Sequence, residues 1–419
     1  LEAGDPLTPS PYSAGRTLSR EEWIPLRTRA IFEFCKWDVQ CEDHSVLSRF
    51  PLLIEPATAL VLNETAEALA REAISAEEEI LAKPHLISRL GLPLDLQKNL
   101  QNTSKTSSGV HALRVMRFDF HATTEGWRIS EVNADVPGGF IEASGWNALF
   151  AGKLAGTSAP LWASELYARA LHDVVGHGGF VALVHATAYS DDRQVMQHLA
   201  RRFSACGLHT CLLSPAHLRW IDGRAEIRAN FASGWPDAIV RFFPAEWLPN
   251  LGREDSWKAY FQKTRVPVSN PGSAILLQTK RFPLVWEELR TDLSTWRRLL
   301  PRTVELSGIR TASDDTWVLK PALGRVGERI GIRGVTPESD LRKIIQEARR
   351  SPQQWVAQKR FEILPMMTPD GEKFPCIGVF TIGGKAAGFY GRIAEKPIIT
   401  QDARDVAVLI KAEVERKMA

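Results

Sequence analysis

Two short runs set acids, an amide and a guanidinium at alternating positions: Arg117-Phe118-Asp119 and, further along, Glu131-Val132-Asn133. In a strand alternate side chains share a face. Arg117 and Asp119 therefore point together, and so do Glu131 and Asn133. If the two runs pair as a hairpin, all four converge on one patch. Two carboxylates and an amide oxygen form a hard-oxygen set suited to Mg²⁺ held jointly with nucleotide phosphates. Arg117 beside them can take a phosphate oxygen. Spacing alone leaves a second alternative open, a set of surface ion pairs across a hairpin.

The run Lys320-Pro321-Ala322-Leu323-Gly324-Arg325-Val326-Gly327-Glu328 has a different character. Its glycines let backbone N–H groups approach an anion, and Lys320 and Arg325 add positive charge. It is neither a Walker A loop nor a GxGxxG turn, so an ordinary mobile turn stays an alternative. A third run, Gly388-Phe389-Tyr390-Gly391-Arg392, closes a strand and is followed by Ile398-Ile399-Thr400. Its arginine is either structural or catalytic.

Hydrophobic periodicity supplies the elements that position these residues. Residues 113–120 read as a strand, 123–126 as a turn and 127–132 as the return strand. A Gly-rich turn at 137–139 leads into a helix at about 141–149. A strand at 317–320 precedes the Gly-rich stretch 324–331, and Thr336-Pro337 opens a helix ending near Arg350. Further strands fall at 355–359, 376–382 and 386–392. Upstream, 1–20 reads as a Pro-, Ser- and Gly-rich irregular arm. A helix follows from Arg20 to about Trp37, with Trp23, Leu26, Ala30, Ile31 and Phe34 on one stripe. A second helix covers 64–82 and is stopped by Pro84, and a third covers 274–290. Between them, strands at 181–184, 210–213 and 238–243, a helix at 193–206 and a hairpin turning at Asp222-Gly223 suggest a small Rossmann-like unit. The unit has no Gly-rich turn after its first strand, which argues against dinucleotide binding there.

Composition excludes several classes of function. The 419 residues are 44% hydrophobic and 24% charged, enough apolar material for more than one core. A net charge of +3 with interleaved signs leaves no basic footprint for nucleic acid. The five cysteines, Cys35, Cys41, Cys206, Cys211 and Cys376, form no CxxC pair, so reduced thiols are expected. No run of about 18 apolar residues occurs and residues 1–19 have no signal-type apolar core. The expectation is a cytoplasmic protein with no membrane segment.

The ordered set of motifs resembles the glutathionylspermidine synthase family over roughly residues 110–400. Arg117-x-Asp119 with Glu131-Val132-Asn133-Ala134-Asp135 is similar to its metal-binding signature, and Trp317 to Gly327 to its phosphate-covering loop. Gly378-Val379-Phe380, Gly388, Arg392 and Ile399-Thr400 are similar to its closing segment. Lesser matches lie at Pro244-Ala245-Glu246-Trp247 and Leu277-Gln278-Thr279-Lys280. The resemblance implies an α/β ATP-grasp fold in permuted order with a Rossmann-like pre-ATP-grasp domain. Its divisions would be 1–172, 173–270 and 271–419. By position, Asp119, Glu131 and Asn133 would hold two Mg²⁺ ions. Lys280 and Lys320 would contact ATP phosphates under a loop carrying Gly324, Arg325 and Gly327. Gln358 lies on the strand that would present its backbone to adenine, and Arg117 and Arg392 would stabilise the transferring phosphoryl group. The implied reaction joins an amino-acid or peptide carboxylate to an amine, with ADP and phosphate released. A carboxylate phosphotransferase and a noncatalytic scaffold of the same fold are the alternatives. Two departures bear on substrate. Val136-Pro137-Gly138-Gly139 stands where glutathione-using members place small hydroxyl residues, and Ile393 follows Arg392 where an acid is usual.

Overall fold

The computed structural model describes residues 10–103, 113–252, 257–307, 309, 314–325 and 327–412. Its central sheet is antiparallel and runs in the order Arg404–Val406, Lys385–Ala394, Gly371–Ile382, Val115–Thr123, Gly126–Asn133. Alternation in the Val115–Thr123 strand sends Phe118 and Phe120 into the core and Arg117, Asp119 and His121 to the opposite face. Pairing with the next strand steps from Phe118↔Val132 to Phe120↔Ile129, so Ser130 and Glu131 together oppose Asp119. This bulge lets Ile129 and Val132, an odd number of residues apart, both point into the core. Ser130, Glu131 and Asn133 are left on the face with Asp119.

The helix Pro56–Ala82 covers the apolar side of this sheet with Leu62, Ala66, Leu69, Ala70, Ala73, Ala76 and Ile80. The many alanines in that stripe allow close approach of helix to sheet. The helix begins at Pro56, not at 64, because proline is well suited to a first helical position. Leu60 and Val61 are exposed there, which blurs the apolar period that sequence reading depends on. Four aromatic rings fill the remaining space. Trp296 meets Phe118 and Phe282 edge-on at 5.9 and 5.3 Å, and Trp286 at 6.1 Å. Its indole N–H donates to the Leu69 carbonyl at 3.0 Å.

A second layer lies across a cleft from the first. The strands Thr303–Val304, Trp355–Lys359 and Trp317–Pro321 form a small antiparallel sheet with Trp355–Lys359 in the middle. Leu341, Ile344 and Ala348 of the helix Glu338–Arg350 are buried on it. A third layer is a parallel sheet in the order Val268–Ser269, Ala238–Phe242, Phe180–His185, His209–Leu213, flanked by the helices Ala163–Val175 and Ser190–Ala205. The Asp222-Gly223 hairpin decorates it, and both turn residues have positive φ.

Three further expectations are corrected. The expected helix 274–290 is broken into Ile275–Gln278 and a 3₁₀ segment Phe282–Glu288. Pro283 cannot continue a helix begun at 275, and the Gln278 side chain leaves the helical path to accept the N–H groups of Ala134 and Asp135. The arm 1–20 is not irregular throughout. Residues 1–9 lie outside the described residues, but Tyr12–Ala14 is an edge strand paired with Leu52–Ile54. It is anchored by the Tyr12 hydroxyl on the Leu364 carbonyl. The helix Arg20–Phe34 stops short of Trp37 because Cys35 takes a left-handed conformation, which turns Lys36 inward. No helix among the described residues is long and apolar enough to cross a membrane.

Trp296→Ala is expected to cost about 3–5 kcal/mol, the usual range for emptying a large aromatic site. The check is the urea midpoint. A midpoint equal to that of the unmodified protein would show that the ring cluster does not brace the sheet.

Candidate active site

Asp119, Gly378 and Tyr390 stand in one row across three adjacent strands. Arg117 opposes Phe380, and Arg392 opposes Cys376. The Arg117 side chain lies over Gly378: a β-carbon there would sit 2.7 Å from its Cδ. From that position Arg117 donates Nε to Asp119 Oδ1 at 2.8 Å and Nη2 to Oδ2 at 3.1 Å. Arg392 donates Nη2 to Asp119 Oδ2 at 2.7 Å, and the Asn133 amide nitrogen donates to the same oxygen at 3.2 Å. Asp119 is only 1% exposed. Burial alone would raise its carboxyl, but the Arg117 and Arg392 charges outweigh that and hold it below the ordinary carboxylate range. The ion pairs of Asp119 are thus buried, not solvated at the surface.

Glu131 accepts from Lys280 Nζ at 2.9 Å, and the same ammonium donates to the Gly324 carbonyl at 2.9 Å. Burial opposes ionisation of Glu131, yet the Lys280 charge leaves its carboxyl below the usual value. Lys320 donates to the Ser130 carbonyl at 3.1 Å and to Gln358 Oε1 at 2.7 Å. Burial lowers this ammonium to about 8. Gln358 stands in the ladder between Val318 and Thr303 and lines the cleft, with Nε2 donating to Thr303 Oγ1. Arg325 departs most from expectation. It donates to Glu246 Oε1 at 2.9 and 2.7 Å, approaches Asp135 at 3.6 Å and lies over the Trp247 ring. Val326, in the same Gly-rich stretch, lies outside the described residues.

Two cavities open on these residues. One of about 270 Å³ runs between the layers, past Val318, Lys320, Gln358 and Phe361 to Asp119. The other, about 390 Å³, is lined by Arg117, Asn133, Asp192, Arg325 and Tyr390, with Lys36 beyond. Glu131 and Arg392 line both. Lys280 lines neither cavity and reaches them through Glu131.

Asp135, which closes the Glu131-to-Asp135 run, is fully buried against Arg241 at 2.5 Å and accepts the Ala245 N–H, tying the first strand pair to the parallel sheet. Around the second cavity it is the Lys36 cluster that escaped sequence reading. Lys36 is held by Asp38 at 2.9 Å, Asp405 at 2.8 Å and Glu142. These come from a loop, a π-helical turn at Glu142–Trp146 and the last strand of the central sheet. Nothing in their spacing links them. The Tyr390 hydroxyl donates to Asp405 at 2.7 Å and had a legible signal, its place two residues before Arg392 on one strand face.

One ammonium cannot balance three carboxylates. Burial pushes Glu142 up to about 7 from 4.5, with Lys36 opposing and Asp405 and Asp38 assisting. A carboxyl raised on folding stabilises fully below its unfolded value and loses that contribution as pH rises through its folded value. Glu142→Gln, which cannot ionise, should therefore gain thermal stability relative to the unmodified protein between pH 4.5 and 7. Melting curves at pH 5 and pH 8 check this. An equal difference at both would mean that Glu142 is ionised throughout.

No curated protein matches the chain by sequence. A glutathione synthetase-like effector from Globodera pallida is similar in structure, with a TM-score of 0.63 at 12% identity over 93% of this chain and 97% of that one. Such a likeness speaks to the fold. A candidate gamma-glutamylcysteine synthetase from Methylobacillus flagellatus covers 76% of this chain and 81% of its own at 13% identity, with a TM-score of 0.42. Residues 32–411 match the glutathionylspermidine synthase preATP-grasp family. The chain has the ATP-grasp-type fold and belongs to that family of carboxylate–amine ligases.

Proposed function

We propose that this chain itself joins a carboxylate to an amine at the expense of ATP, through an acyl phosphate. The observation that carries the reading is the junction of the two cavities at Glu131 and Arg392. A nucleotide in the interlayer cleft and a carboxylate in the second cavity would meet at those two side chains. Carboxylates do not react with amines at neutral pH because oxide is too poor a leaving group. Phosphorylation by ATP supplies a leaving group, and the protein's share is position and charge.

The residues present fit magnesium and nucleotide. Among the described residues no three His, Cys, Asp or Glu side chains cluster as a complete metal site. The protein offers Asp119, Glu131 and the Asn133 amide, which leaves the remaining positions to phosphate oxygens and water, as Mg²⁺ prefers. Both carboxylates are held ionised, the state such an ion requires. Arg392 Nε is buried beside the cleft with no partner among the described residues. In the proposed cycle Lys320 and Lys280 bind phosphates. Asp119 and Glu131 would hold the ion in place of their arginine and lysine partners. Arg117 and Arg392 would then be free to stabilise the equatorial oxygens of the transferring group. The bound ion would screen phosphate charge and orient the γ-phosphoryl group. Arg325 is reassigned to the carboxylate side, because it lines the second cavity and faces Glu246 and Asp192.

An ADP-release screen of amino acids and peptides against amines tests the reading. Glutathione with spermidine is expected to stay near background, and some other pair to turn over. ADP release without need of an amine would indicate a phosphotransferase, and MgATP binding with no release for any pair would indicate a scaffold. Glu131→Gln should keep the fold and reduce turnover about 100-fold or more. Turnover restored by excess Mg²⁺ would contradict its role. Arg325→Ala should raise KM for the carboxylate by roughly tenfold, the loss of a charge-assisted hydrogen bond, with KM for ATP little changed. The reverse pattern would return Arg325 to the nucleotide.

A further inference from the structure

The two site arginines pose an electrostatic problem. Both guanidinium groups donate to the same buried carboxylate, so Asp119 is what permits like charges to stand side by side. If Asp119 held a metal ion, as the proposed cycle requires, the arginines would repel each other in a site of low polarity. A second group touches both. The Arg117 Cζ lies 5.1 Å from the Tyr390 ring centroid and the Arg392 Cζ 5.2 Å. An aromatic face attracts a cation through its quadrupole and does so more strongly where water is excluded.

Three features of the surroundings fix that ring. Its hydroxyl donates to Asp405, whose other oxygen pairs with Lys36. Gly139, at φ +96, leaves the ring its space: a β-carbon there would lie 2.6 Å from Cδ1. Gly378 lets Arg117 cross its strand to reach the ring, and the Gly138 carbonyl accepts Arg117 Nη1 at 2.6 Å. The Val136–Gly139 departure from the family pattern is thus explained in part by what packs against it.

We propose that Tyr390 is a positioning residue whose ring holds Arg117 and Arg392 in register when Asp119 leaves them. The proposal rests on the ligase reading for its purpose, but the holding itself is measurable without turnover. Asp119→Asn imitates withdrawal of the carboxylate. In that background, side-chain Nε–H signals of ¹⁵N-arginine-labelled protein report whether each guanidinium is ordered, with Arg117→Lys and Arg392→Lys assigning them.

The expected result is slow solvent exchange of both signals in Asp119→Asn and in Asp119→Asn/Tyr390→Phe, and fast exchange in Asp119→Asn/Tyr390→Leu. Slow exchange in the leucine double variant overturns the proposal, whether or not any substrate pair is found. In otherwise unmodified protein, Tyr390→Leu should lower kcat about tenfold or more, with KM for ATP changed less than about twofold. Tyr390→Phe should recover most of that kcat. If phenylalanine loses as much as leucine while the melting temperature holds, the hydroxyl bond to Asp405 acts and the ring does not, which also overturns the proposal. Absence of ADP release in the unmodified protein would count against the ligase reading alone, and arginine exchange would still decide the role of the ring.

Discussion

The buried carboxylate of Asp119 is bound by two guanidinium groups and an amide from three other positions, and it fixes the pairing of the central sheet. Arg117 comes from its own strand, Asn133 from one neighbouring strand and Arg392 from two strands away on the other side. A slip of one residue in any of these pairings would carry a charged side chain to the apolar face, where Phe118, Ile129 and Trp296 pack. Buried ion pairs add little net stability, because desolvation offsets most of their attraction. Removing one member leaves the rest uncompensated and is expensive. The Asp119 cluster is therefore better understood as a device of register and function than as a source of folding free energy. Stability comes from the Ala-rich helix and the ring cluster on the other side.

That division of labour also explains how much could be read from sequence. The hairpin and its four converging side chains were legible because strand alternation is a local rule and the run is short. The bulge was not foreseen as such, though the odd spacing of Ile129 and Val132 in an otherwise apolar pattern is its trace. The strand–helix–strand order of the parallel sheet and the Asp222-Gly223 turn were legible for the same local reasons. The stretch after Ala274 was misread because its apolar residues keep a helical period, and the cost of Pro283 outweighs that period. The start of the Pro56 helix was lost to exposed leucine and valine. Least legible was the Lys36 cluster, whose carboxylates lie at 38, 142 and 405. Contacts of such sequence separation leave no local pattern, and only the folded chain brings them together.

The glycines in the site carry meaning that depends on their neighbours. From sequence, Gly138 and Gly139 look like the loss of side-chain donors toward a peptide substrate. In the folded chain Gly139 faces the Tyr390 ring, and Gly138 gives its carbonyl to Arg117. Both readings are compatible, since a turn without side chains at once admits the ring and presents only backbone to the cavity. The physical order matters nonetheless. A residue with a side chain at 139 would first displace an element touching both arginines, and any change in substrate would follow from that displacement.

Likeness at 12% identity over nearly the whole of both chains speaks to the fold, and a fold does not fix a substrate. In the proposed reading the carboxylate side is the second cavity. That cavity holds charges of both signs. Arg117, Arg392, Arg325 and Lys36 line it together with Asp38, Glu142, Asp191, Asp192 and Asp405, and the Arg325 charge acts on Asp192. Burial pushes Asp192 up to about 6, so its charge is responsive to what lies beside it. In the proposed reaction a carboxylate would be attracted by these arginines, and Arg392 is the one that also lines the interlayer cleft. Attraction by charges already in place costs the substrate little beyond its own loss of freedom. A carboxylate held by Arg392 would lie where Glu131 and Arg392 join the two cavities.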